Sequence, residues 1–317
     1  MYEFLQKGFR YRKLSEELKK KYGTKVYRLP INAGLTCPNR ENGLPGCLFC
    51  DETGSGFTTF KDIDIKSQIN EMKKRYIKKG AKKFIAYFQN FSNTYAPIEK
   101  LRKLYYQAID EDIVQISIST RPDCISKEIL DLLEEIRSHI DVSIEMGLQT
   151  ANYHTLVKMN RGHTLAEYIK AAIEIKKRNF ELISHVILNF PEDNILDVIE
   201  TAKIISILGI DGVKIHSLYI VENTLLGKMY NEGKIKISTL NDYIERVIRF
   251  LEYLSPNVVI HRLVADPPRK GTLFGNWNKP KIQIINMIEK RLKEKNTYQG
   301  KYFLNWFTPK TKKFEKK

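Results

Sequence analysis

The segment from Cys37 to Cys50 constrains this chain more than any other stretch. It carries three of the four cysteines of the 317-residue chain, in the spacing C-x9-C-x2-C. The prolines and glycines between the cysteines predict a loop, since both residue types interrupt regular structure. Three thiolates on one loop predict a metal site of one of two kinds. One is a zinc ion completed by a fourth ligand, and the other is a four-iron cluster that leaves one iron without a protein ligand.

Short apolar runs alternate with amphipathic helical segments along the chain. The runs are rich in β-branched and aromatic residues, as buried parallel strands are. Because strand-helix-strand connections are right-handed and cover both faces of a sheet, the alternation predicts an α/β fold with a parallel sheet curled into a partial or full barrel. Functional side chains are then expected at the C-terminal strand ends. The predicted strands are 25–32, 83–88, 113–119, 141–146, 182–189 and 213–219, with a seventh candidate at 258–263.

Three apolar stripes mark predicted crossover helices, the second of them behind a Ser126 cap. Within each stripe the spacing places the side chains on one helical face, which we expect to pack on the sheet. The stripes are Ile65, Ile69, Met72 and Tyr76; Ile129, Leu132, Leu133 and Ile136; and Ile195, Ile199, Ala202 and Ile205.

The formal charge of +16 indicates a polyanionic partner. The excess is concentrated in residues 1–28 and 281–317, although lysine-rich, solvated faces without a partner would give the same pattern. Aromatic residues among these charges favour nucleic acid, since rings stack on bases while cations neutralise phosphates. These aromatic residues are Phe4, Phe9, Tyr11, Tyr298, Tyr302, Phe303, Trp306 and Phe307.

We expect four segments in the chain: a basic N-terminal extension over 1–24, the barrel over 25–222, a C-terminal substrate-binding extension over 223–308 and a disordered basic tail over 309–317. No apolar run approaches the ~20 residues of a membrane span, and the N-terminus lacks the apolar core of a signal peptide. The sequence therefore predicts a cytoplasmic protein with no membrane partner. Clustered cysteines agree with a reducing compartment, where thiols hold metals.

The cysteine loop, placed directly after the first predicted strand, resembles the cluster loop of radical S-adenosylmethionine (radical SAM) enzymes. Most members of that superfamily have the spacing C-x3-C-x2-C, and the nine-residue first gap here is similar to the elongator-like branch. The resemblance implies a partial (β/α)6-type barrel with basic extensions, and a 4Fe-4S cluster held by Cys37, Cys47 and Cys50. It also implies S-adenosylmethionine bound at the open iron and reductively cleaved to a 5′-deoxyadenosyl radical. An electron donor such as flavodoxin or ferredoxin would supply the electron.

The same resemblance assigns binding roles at the strand ends. The stretch Met159-Asn160-Arg161-Gly162-His163 looks like the Asn-Arg-Gly-His motif of the elongator-like branch, in which the arginine pairs with the cofactor carboxylate, a task suited to paired guanidinium donors. Gly147-Leu148-Gln149 resembles the family's Gly-x-Gln turn, which assigns Gln149, together with Glu145, to the ribose hydroxyls. For Arg161, the structural alternative is a surface arginine that precedes a capped helix. For Gln149, it is a buried polar residue that caps the next helix.

Other candidates depart from the family's pattern or lack one. Gln89 and Asn90 stand where the family usually has a Gly-Gly-Glu turn at the methionine amine. The glycines are absent, so only backbone contacts are expected, and a plain Asn turn fits equally. His185, Asn189, His216 and Tyr219 are candidates to line the adenine or substrate site, although a histidine in a strand is commonly a core residue. Cys124 is expected to be a small buried hydrophobe.

The elongator-like branch is similar to bacterial proteins linked to modification of the tRNA wobble uridine. There a carboxymethylaminomethyl side chain is converted to an aminomethyl one, on which a separate methyltransferase then acts. By analogy this predicts a tRNA partner and that reaction for the present chain. Two alternatives remain open at this stage: radical chemistry on a small metabolite, and a non-catalytic RNA-binding protein stapled by zinc.

Overall fold

The computed structural model describes residues 2–54, 59–60, 63–78 and 80–304. Its strands are β1 (Val26–Ile31), β2 (Lys83–Phe88), β3 (Ile113–Thr120), β4 (Asp141–Gln149), β5 (Glu181–Ile187), β6 (Gly212–His216), β7 (Ile220–Val221), β8 (Val259–Arg262) and β9 (Thr272–Phe274). Its α-helices are α1 (Glu3–Gln6), α2 (Leu14–Tyr22), α3 (Ile65–Ile77), α4 (Ile98–Tyr106), α5 (Lys127–Arg137), α6 (Tyr153–Lys158), α7 (Leu165–Lys177), α8 (Ile195–Ile207), α9 (Leu225–Asn231), α10 (Leu240–Tyr253) and α11 (Lys281–Glu294).

Seven strands form one parallel sheet in the order β1-β2-β3-β4-β5-β6-β8. Helices lie in the crossovers between successive strands, and the sheet curls into a half-barrel, which confirms the predicted α/β class. The six predicted strands and the seventh candidate are all present. A second, two-stranded antiparallel sheet pairs β7 with β9. The C-terminal part of the chain therefore contributes β8 to the same sheet as the barrel strands.

The fifth and sixth strands end earlier than the apolar pattern predicts, at Ile187 and His216 instead of 189 and 219. Beyond these strand ends, a side chain replaces the backbone hydrogen bonds between the two segments. Asn189 Oδ1 accepts a hydrogen bond from the N–H of Leu218 at 2.7 Å. The fourth strand runs three residues longer than predicted, to Gln149. It carries a β-bulge at that end, which a pattern of alternation does not reveal.

The helical stripes of α3 and α5 face the core as predicted, and Ser126 caps α5 by accepting from the N–H of Ile129. The stripe predicted for α8 is wrong in part. Its buried residues are Val198, Thr201, Ala202 and Ile205, whereas Ile195 is exposed. Ile195 is the first helical residue and lies about one turn before Val198, the first buried residue of α8. Thr201 is buried instead because its hydroxyl accepts from the N–H of Ala151 at 3.0 Å.

Helix α2 lies at the end of the barrel opposite the cysteine loop. Lys21 pairs with Asp141, the first residue of β4, at 2.8 Å, and Tyr22 donates to the same carboxylate at 2.9 Å. The preceding segment bridges to β8, where the N–H of Ile260 donates to the carbonyl of Arg12 at 2.8 Å. The cysteine loop follows the C-terminal end of β1. The basic N-terminal segment therefore covers the starts of the strands and lies away from the barrel mouth.

Several aromatic residues predicted to stack on bases belong to the protein core. Phe4 and Tyr11 are buried, and Tyr11 donates to Glu289 at 2.9 Å, so for these two the prediction is wrong. Tyr298 is half-buried, with Tyr2 edge-on at 6.3 Å. Trp306, Phe307 and the predicted disordered tail lie outside the described residues. Across the described part of the chain, no helix is both long and apolar enough to cross a membrane.

Candidate functional site

A cavity of about 350 Å³ opens at the C-terminal ends of the barrel strands. It brings together most residues that the sequence singled out, from six separate parts of the chain. Those lining it are Cys37, Cys47, Cys50, Gln89, Glu145, Gln149, Arg161, His185, His216 and Tyr219. Asn90, Asn189 and Cys124 are not among the lining residues. The predicted cysteines and the predicted cofactor-binding side chains thus share one site, except Asn90.

The three cysteines of the loop are free thiols that line this cavity. Within the described residues, no three Cys, His, Asp or Glu side chains meet at the spacing of a single-ion site. Burial, and then the neighbouring Cys47, raise the pKa of Cys50 to about 12. Two donors point at Cys47 Sγ: Asn39 Nδ2 at 3.5 Å and Arg161 Nη1 at 3.4 Å. These two donors hold the Cys47 sulfur in place beside the cavity.

Hydrogen bonds from backbone N–H groups and side-chain amides join the segment 159–163 to the cysteine loop. The N–H of Leu48 donates to the carbonyl of Met159 at 3.0 Å, and Asn160 Nδ2 donates to the carbonyl of Gly46 at 2.7 Å. In return, Asn39 Nδ2 donates to the carbonyl of Asn160 at 2.7 Å. Two stretches more than 100 residues apart in sequence are therefore held as one unit.

Arg161 is the cation beside the thiols. Its side chain is buried with 7% exposure, its Nε has no hydrogen-bond partner, and no described carboxylate pairs with it. Its remaining contacts are Cys47 Sγ and the carbonyl of Gly147, at 3.3 Å from Nη2. A buried guanidinium without an anion is costly, because burial disfavours an unpaired charge. The site is therefore prepared for an anionic group, which agrees with the carboxylate-binding role predicted for Arg161.

The bulge at the end of β4 shapes the wall beside Arg161. A Cβ added to Gly147 would lie 2.5 Å from Arg161 Nη2 and 2.6 Å from Gln149 Nε2. Gln149 has φ +73°, a left-handed conformation that non-glycine residues rarely adopt. The register shift between Gly147 and Gln149 re-aims the Gln149 amide into the cavity. The Gly-x-Gln sequence therefore meets two structural requirements: a residue without a Cβ beside Arg161, and a bulge that directs the glutamine side chain into the cavity.

Gln89 and Asn90 differ in position. The N–H of Gln89 donates to the carbonyl of Ile31 at 3.2 Å, and the residue lines the cavity. Asn90 points to the loop after the cysteines, where its amide donates to the carbonyl of Thr53 at 2.9 Å and to Thr59 Oγ1 at 3.2 Å. The side chain of Asn90 therefore supports this loop, and a backbone contact from either residue to a cofactor stays a prediction.

Glu145 lies deep in the barrel, fully buried, rather than at its rim. Its carboxylate pairs with Arg28 from β1 and Lys214 from β6, and it accepts from His185 Nε2 at 2.7 Å and from Ser117 Oγ at 2.8 Å. Burial opposes ionisation, but the two cations outweigh it and hold the pKa of Glu145 well below its usual value. The carboxylate is thus engaged on both oxygens, and its predicted contact with a ribose stays a prediction.

The cavity histidines are neutral. Burial lowers the pKa of His185 to about 4, despite its hydrogen bond to Glu145. Burial and the neighbouring Arg262 lower the pKa of His216 well below its usual value. Their rings lie 5.3 Å apart between centroids. A neutral His185 that donates from Nε2 keeps Nδ1 as an acceptor.

Sequence reasoning missed four residues of this interior: Arg28, Tyr87, Lys214 and Arg262. Lys214 Nζ lies 3.9 Å above the Tyr87 ring, and Arg28 lies 5.1 Å from the same ring. A signal existed, because Arg28 and Lys214 are the single formal charges of β1 and β6, and Glu145 is the one charge in the interior of β4. Charged residues are rarely buried unless they pair. One carboxylate and two cations on three different strands therefore predict an ion-pair network inside the barrel.

Comparisons with known proteins agree with the geometry. Residues 31–205 match the Radical SAM superfamily, and residues 210–294 match the Radical_SAM C-terminal domain. The protein MJ0486 of Methanocaldococcus jannaschii is 38% identical over 307 residues, which cover 95% of this chain and 95% of that protein. Elongator complex protein 3 of Saccharomyces cerevisiae is 26% identical over 189 residues, 58% of this chain and 33% of that protein.

Among solved structures, the archaeal Elp3 of Methanocaldococcus infernus, with an N-terminal deletion, aligns with a TM-score of 0.66 at 17% identity. The alignment covers 89% of this chain and 68% of that one. At this identity the likeness shows the fold.

The residues present fit the cofactors that this superfamily uses, a 4Fe-4S cluster and S-adenosylmethionine. Three cavity thiols are soft ligands of the kind that hold iron–sulfur clusters. The orphaned Nε of Arg161 offers a donor to a carboxylate, and Gly147 leaves the space that such a group needs. Cys37, Cys47 and Cys50 would hold the cluster, and Arg161 and Gln149 would contact the S-adenosylmethionine.

We predict that Cys37→Ala, Cys47→Ala and Cys50→Ala each abolish the cluster, because all three thiols line the cavity. Cys124→Ala is the matched control, since Cys124 lies outside the lining. Iron assays and visible absorbance after anaerobic reconstitution should show about four iron per chain for the control and the unaltered protein. Equal loss of iron in Cys124→Ala and Cys47→Ala would contradict this assignment.

We also predict that Arg161→Lys weakens S-adenosylmethionine binding by ~1.5–3 kcal/mol, the size of a charged hydrogen bond, because lysine keeps the charge but loses the paired donors. Gly147→Ala should weaken it too, since the new methyl group would displace Arg161. Equilibrium dialysis with cluster-loaded protein measures both effects. The control is Arg102→Lys, a surface residue paired with Glu135, and iron content should match in all variants. Unchanged affinity in Arg161→Lys would refute the role.

Proposed function

We propose that this chain, which belongs to the radical SAM superfamily, modifies tRNA by converting the carboxymethylaminomethyl side chain of a wobble uridine to an aminomethyl one. When bound, the cluster and S-adenosylmethionine would supply a 5′-deoxyadenosyl radical able to abstract a hydrogen from the carboxymethyl carbon next to the amine. S-adenosylmethionine is then the two-electron oxidant: the amine would be oxidised to an imine, whose later hydrolysis frees the aminomethyl group and releases the two carbons as glyoxylate. The observation that carries the proposal is a single cavity that joins the three thiols to polar, cationic groups able to hold a charged substrate. Membership of this superfamily favours iron over the zinc alternative.

The protein's own residues have separate tasks in this proposal. Cys37, Cys47 and Cys50 hold the cluster, Arg161 fixes the methionine carboxylate and Gln149 contacts the ribose. Backbone groups of Gln89 and Asn90 contact the methionine amine. For the ribose contact predicted at Glu145, one of its oxygens would have to leave its present partners. The barrel walls exclude water, which protects a reactive radical from side reactions.

A substrate atom reaches this cavity only if it is carried into it, since the cavity lies within the strand ends. A base in an anticodon loop can be unstacked and inserted, as enzymes that act on bases require. The modified side chain of a wobble uridine is the part that would enter furthest. The enclosed site therefore fits a nucleoside presented from a loop.

Free positive charge lies beside the mouth of the cavity as well as on other faces of the chain. Among the described residues, the segment 225–279, which contains α9, β8 and β9, holds several exposed cations without an ion pair. They are Lys228, Lys236, Arg269, Lys270 and Lys279. The N–H of Leu226 in α9 donates to the carbonyl of Leu48 in the cysteine loop at 2.9 Å, which places this segment beside the mouth. Cations here would meet the phosphates of an inserted loop.

By contrast, many terminal cations are already neutralised. Lys13 pairs with Glu289 at 2.7 Å, and Lys295 pairs with Glu245 at 2.6 Å. We therefore assign the main RNA contacts to the mouth, and to the chain ends only a long-range attraction. An electron donor such as flavodoxin or ferredoxin and a methyltransferase acting on the aminomethyl product complete the proposed set of partners.

We predict that cells lacking this protein accumulate the carboxymethylaminomethyl nucleoside in tRNA and lose the aminomethyl-derived one. Mass spectrometry of tRNA nucleosides measures this, with the gene for Cys47→Ala as the inactive complement and that for Cys124→Ala as the active one. Unchanged wobble-uridine modification in the deletion strain would contradict the proposed tRNA reaction. A small-metabolite substrate would then be the remaining hypothesis.

We further predict that tRNA binding weakens steeply with salt and that the double variant Arg269→Ala, Lys270→Ala reduces the logarithmic salt slope by about 1.5, since each phosphate contact contributes roughly 0.7–0.9. The matched control, here the α2 variant, is Lys19→Ala, Lys25→Ala, which removes two exposed lysines without an ion pair on and just after α2, at the opposite end of the barrel. Filter binding over a range of salt concentrations measures the slope. A larger loss in the α2 variant would instead place the RNA contacts at the chain ends.

A further inference from the structure

Four residues on neighbouring strands form one row across the floor of the cavity. In the sheet register, Gly147 of β4 pairs with His185 of β5, His185 pairs with Lys214 of β6, and Lys214 pairs with Arg262 of β8. All four line the cavity, so they lie on the same face of the sheet. The row begins beneath Arg161, which Gly147 accommodates, and it ends at a second arginine.

The row carries more positive charge than its partners neutralise. Glu145 is shared between Arg28 and Lys214, and no described carboxylate pairs with Arg262. Asp266, the acidic residue nearest to it in sequence, pairs with Lys281 instead. Burial, and then the facing Arg28 and Arg262, lower the pKa of Lys214 well below its usual value although Glu145 raises it. Burial is therefore the main cause of the low pKa of Lys214, and the two guanidiniums add to it.

Arg262 has hydrogen-bond donors to spare. Its Nη2 lies 2.7 Å from Nε2 and 2.8 Å from Nδ1 of His216, and its buried Nε has no partner. His216 is neutral and accepts from Arg262 without cancelling its charge. A guanidinium that is oriented by a neutral ring and still has free donors is suited to paired contacts with a carboxylate.

This end of the row is distinct from the site around Arg161. The two arginines share no hydrogen-bond partner: Arg161 contacts Cys47 Sγ and the carbonyl of Gly147, whereas Arg262 contacts the ring of His216. The cavity therefore has two cationic ends, and the carboxylate of S-adenosylmethionine would occupy only the Arg161 end.

We propose that Arg262, supported by Lys214, binds a carboxylate of the substrate and thereby selects substrates that carry one. The inference rests on the proposed function, in which the side chain to be shortened ends in a carboxylate while its product does not. A phosphate is the other anion of suitable charge. The carboxylate is favoured because tRNA phosphates belong to the backbone outside the base, whereas the end of the side chain is the deepest part of an inserted nucleotide.

This arrangement would also favour release of the product. The aminomethyl product is a cation at neutral pH and lacks the carboxylate, so it would face the guanidinium of Arg262 with like charge. Juxtaposed like charges disfavour binding. Arg262 would therefore favour the substrate and disfavour the product.

The first test uses two anticodon stem-loop RNAs that differ only at the wobble uridine, one with the carboxymethylaminomethyl group and one with the aminomethyl group. Binding is measured with cluster-loaded protein and saturating S-adenosylmethionine. We expect the unaltered protein to prefer the first RNA by about tenfold or more, the range of one charged hydrogen bond. Arg262→Gln should remove that preference, and Arg262→Lys should restore part of it. Arg102→Gln is the matched surface control and should keep the full preference.

The second test uses acetate and inorganic phosphate as probes, followed by nuclear magnetic resonance with S-adenosylmethionine saturating the Arg161 end. Acetate binding that is lost in Arg262→Gln but kept in Arg102→Gln supports the site. If acetate binding depends on Arg262 but the two RNAs bind with equal affinity, the carboxylate site is supported and the proposed tRNA substrate is contradicted. Acetate binding that Arg262→Gln leaves intact overturns the inference. Dependence of phosphate alone on Arg262 also overturns it, since the site would then take a phosphate.

Discussion

The buried ion-pair network around Glu145 is the interaction on which the rest of the structure depends. A parallel sheet that curls must fill its interior, and this chain fills part of it with a carboxylate that contacts residues of β1, β3, β5 and β6. A buried carboxylate is tolerated only when it is paired and hydrogen-bonded. Removing one member leaves uncompensated charge in a low-dielectric interior, so the network constrains several strands at once. It also gives the cavity floor its charge, which an apolar core would not do.

The cysteine loop depends on a second kind of constraint, the hydrogen bonds that join it to the segment 159–163. The loop has little regular structure, and its apolar contacts are limited to residues such as Phe49, whose ring lies 5.8 Å from that of Phe190. Backbone donors and the amides of Asn39 and Asn160 hold it instead. Because Arg161 lies within the same segment, the contacts that position the thiols also position the cation beside them. The two parts of the site are therefore positioned together.

The sequence predicted the fold and many of the residues that line the candidate cavity, because both leave local patterns in the sequence. Apolar runs predicted six strands and a seventh candidate. The Cys-x9-Cys-x2-Cys loop and the residues around Arg161 and Gln149 resemble known sequence motifs. What it missed depends on register and long-range contact. Lys214 and Arg262 face each other only because β6 pairs with β8 in a particular register, and no local pattern encodes that pairing. Likewise, the burial of Tyr11 follows from its contact with Glu289, 278 residues away.

The position of α2 explains why net charge alone is a poor guide to where a polyanionic partner would bind. Composition counts every lysine equally, whether it is paired or free. In the folded chain, Lys13 and Lys21 are used to tie the N-terminal segment to α11 and β4. Such surface pairs contribute little energy individually, but each removes a charge from the set that an RNA could meet. The charges that remain free and exposed beside the cavity, such as Arg269 and Lys270, are few and are scattered along the sequence among neutral residues. Their significance comes from the strand ends that they surround, which only the three-dimensional arrangement reveals.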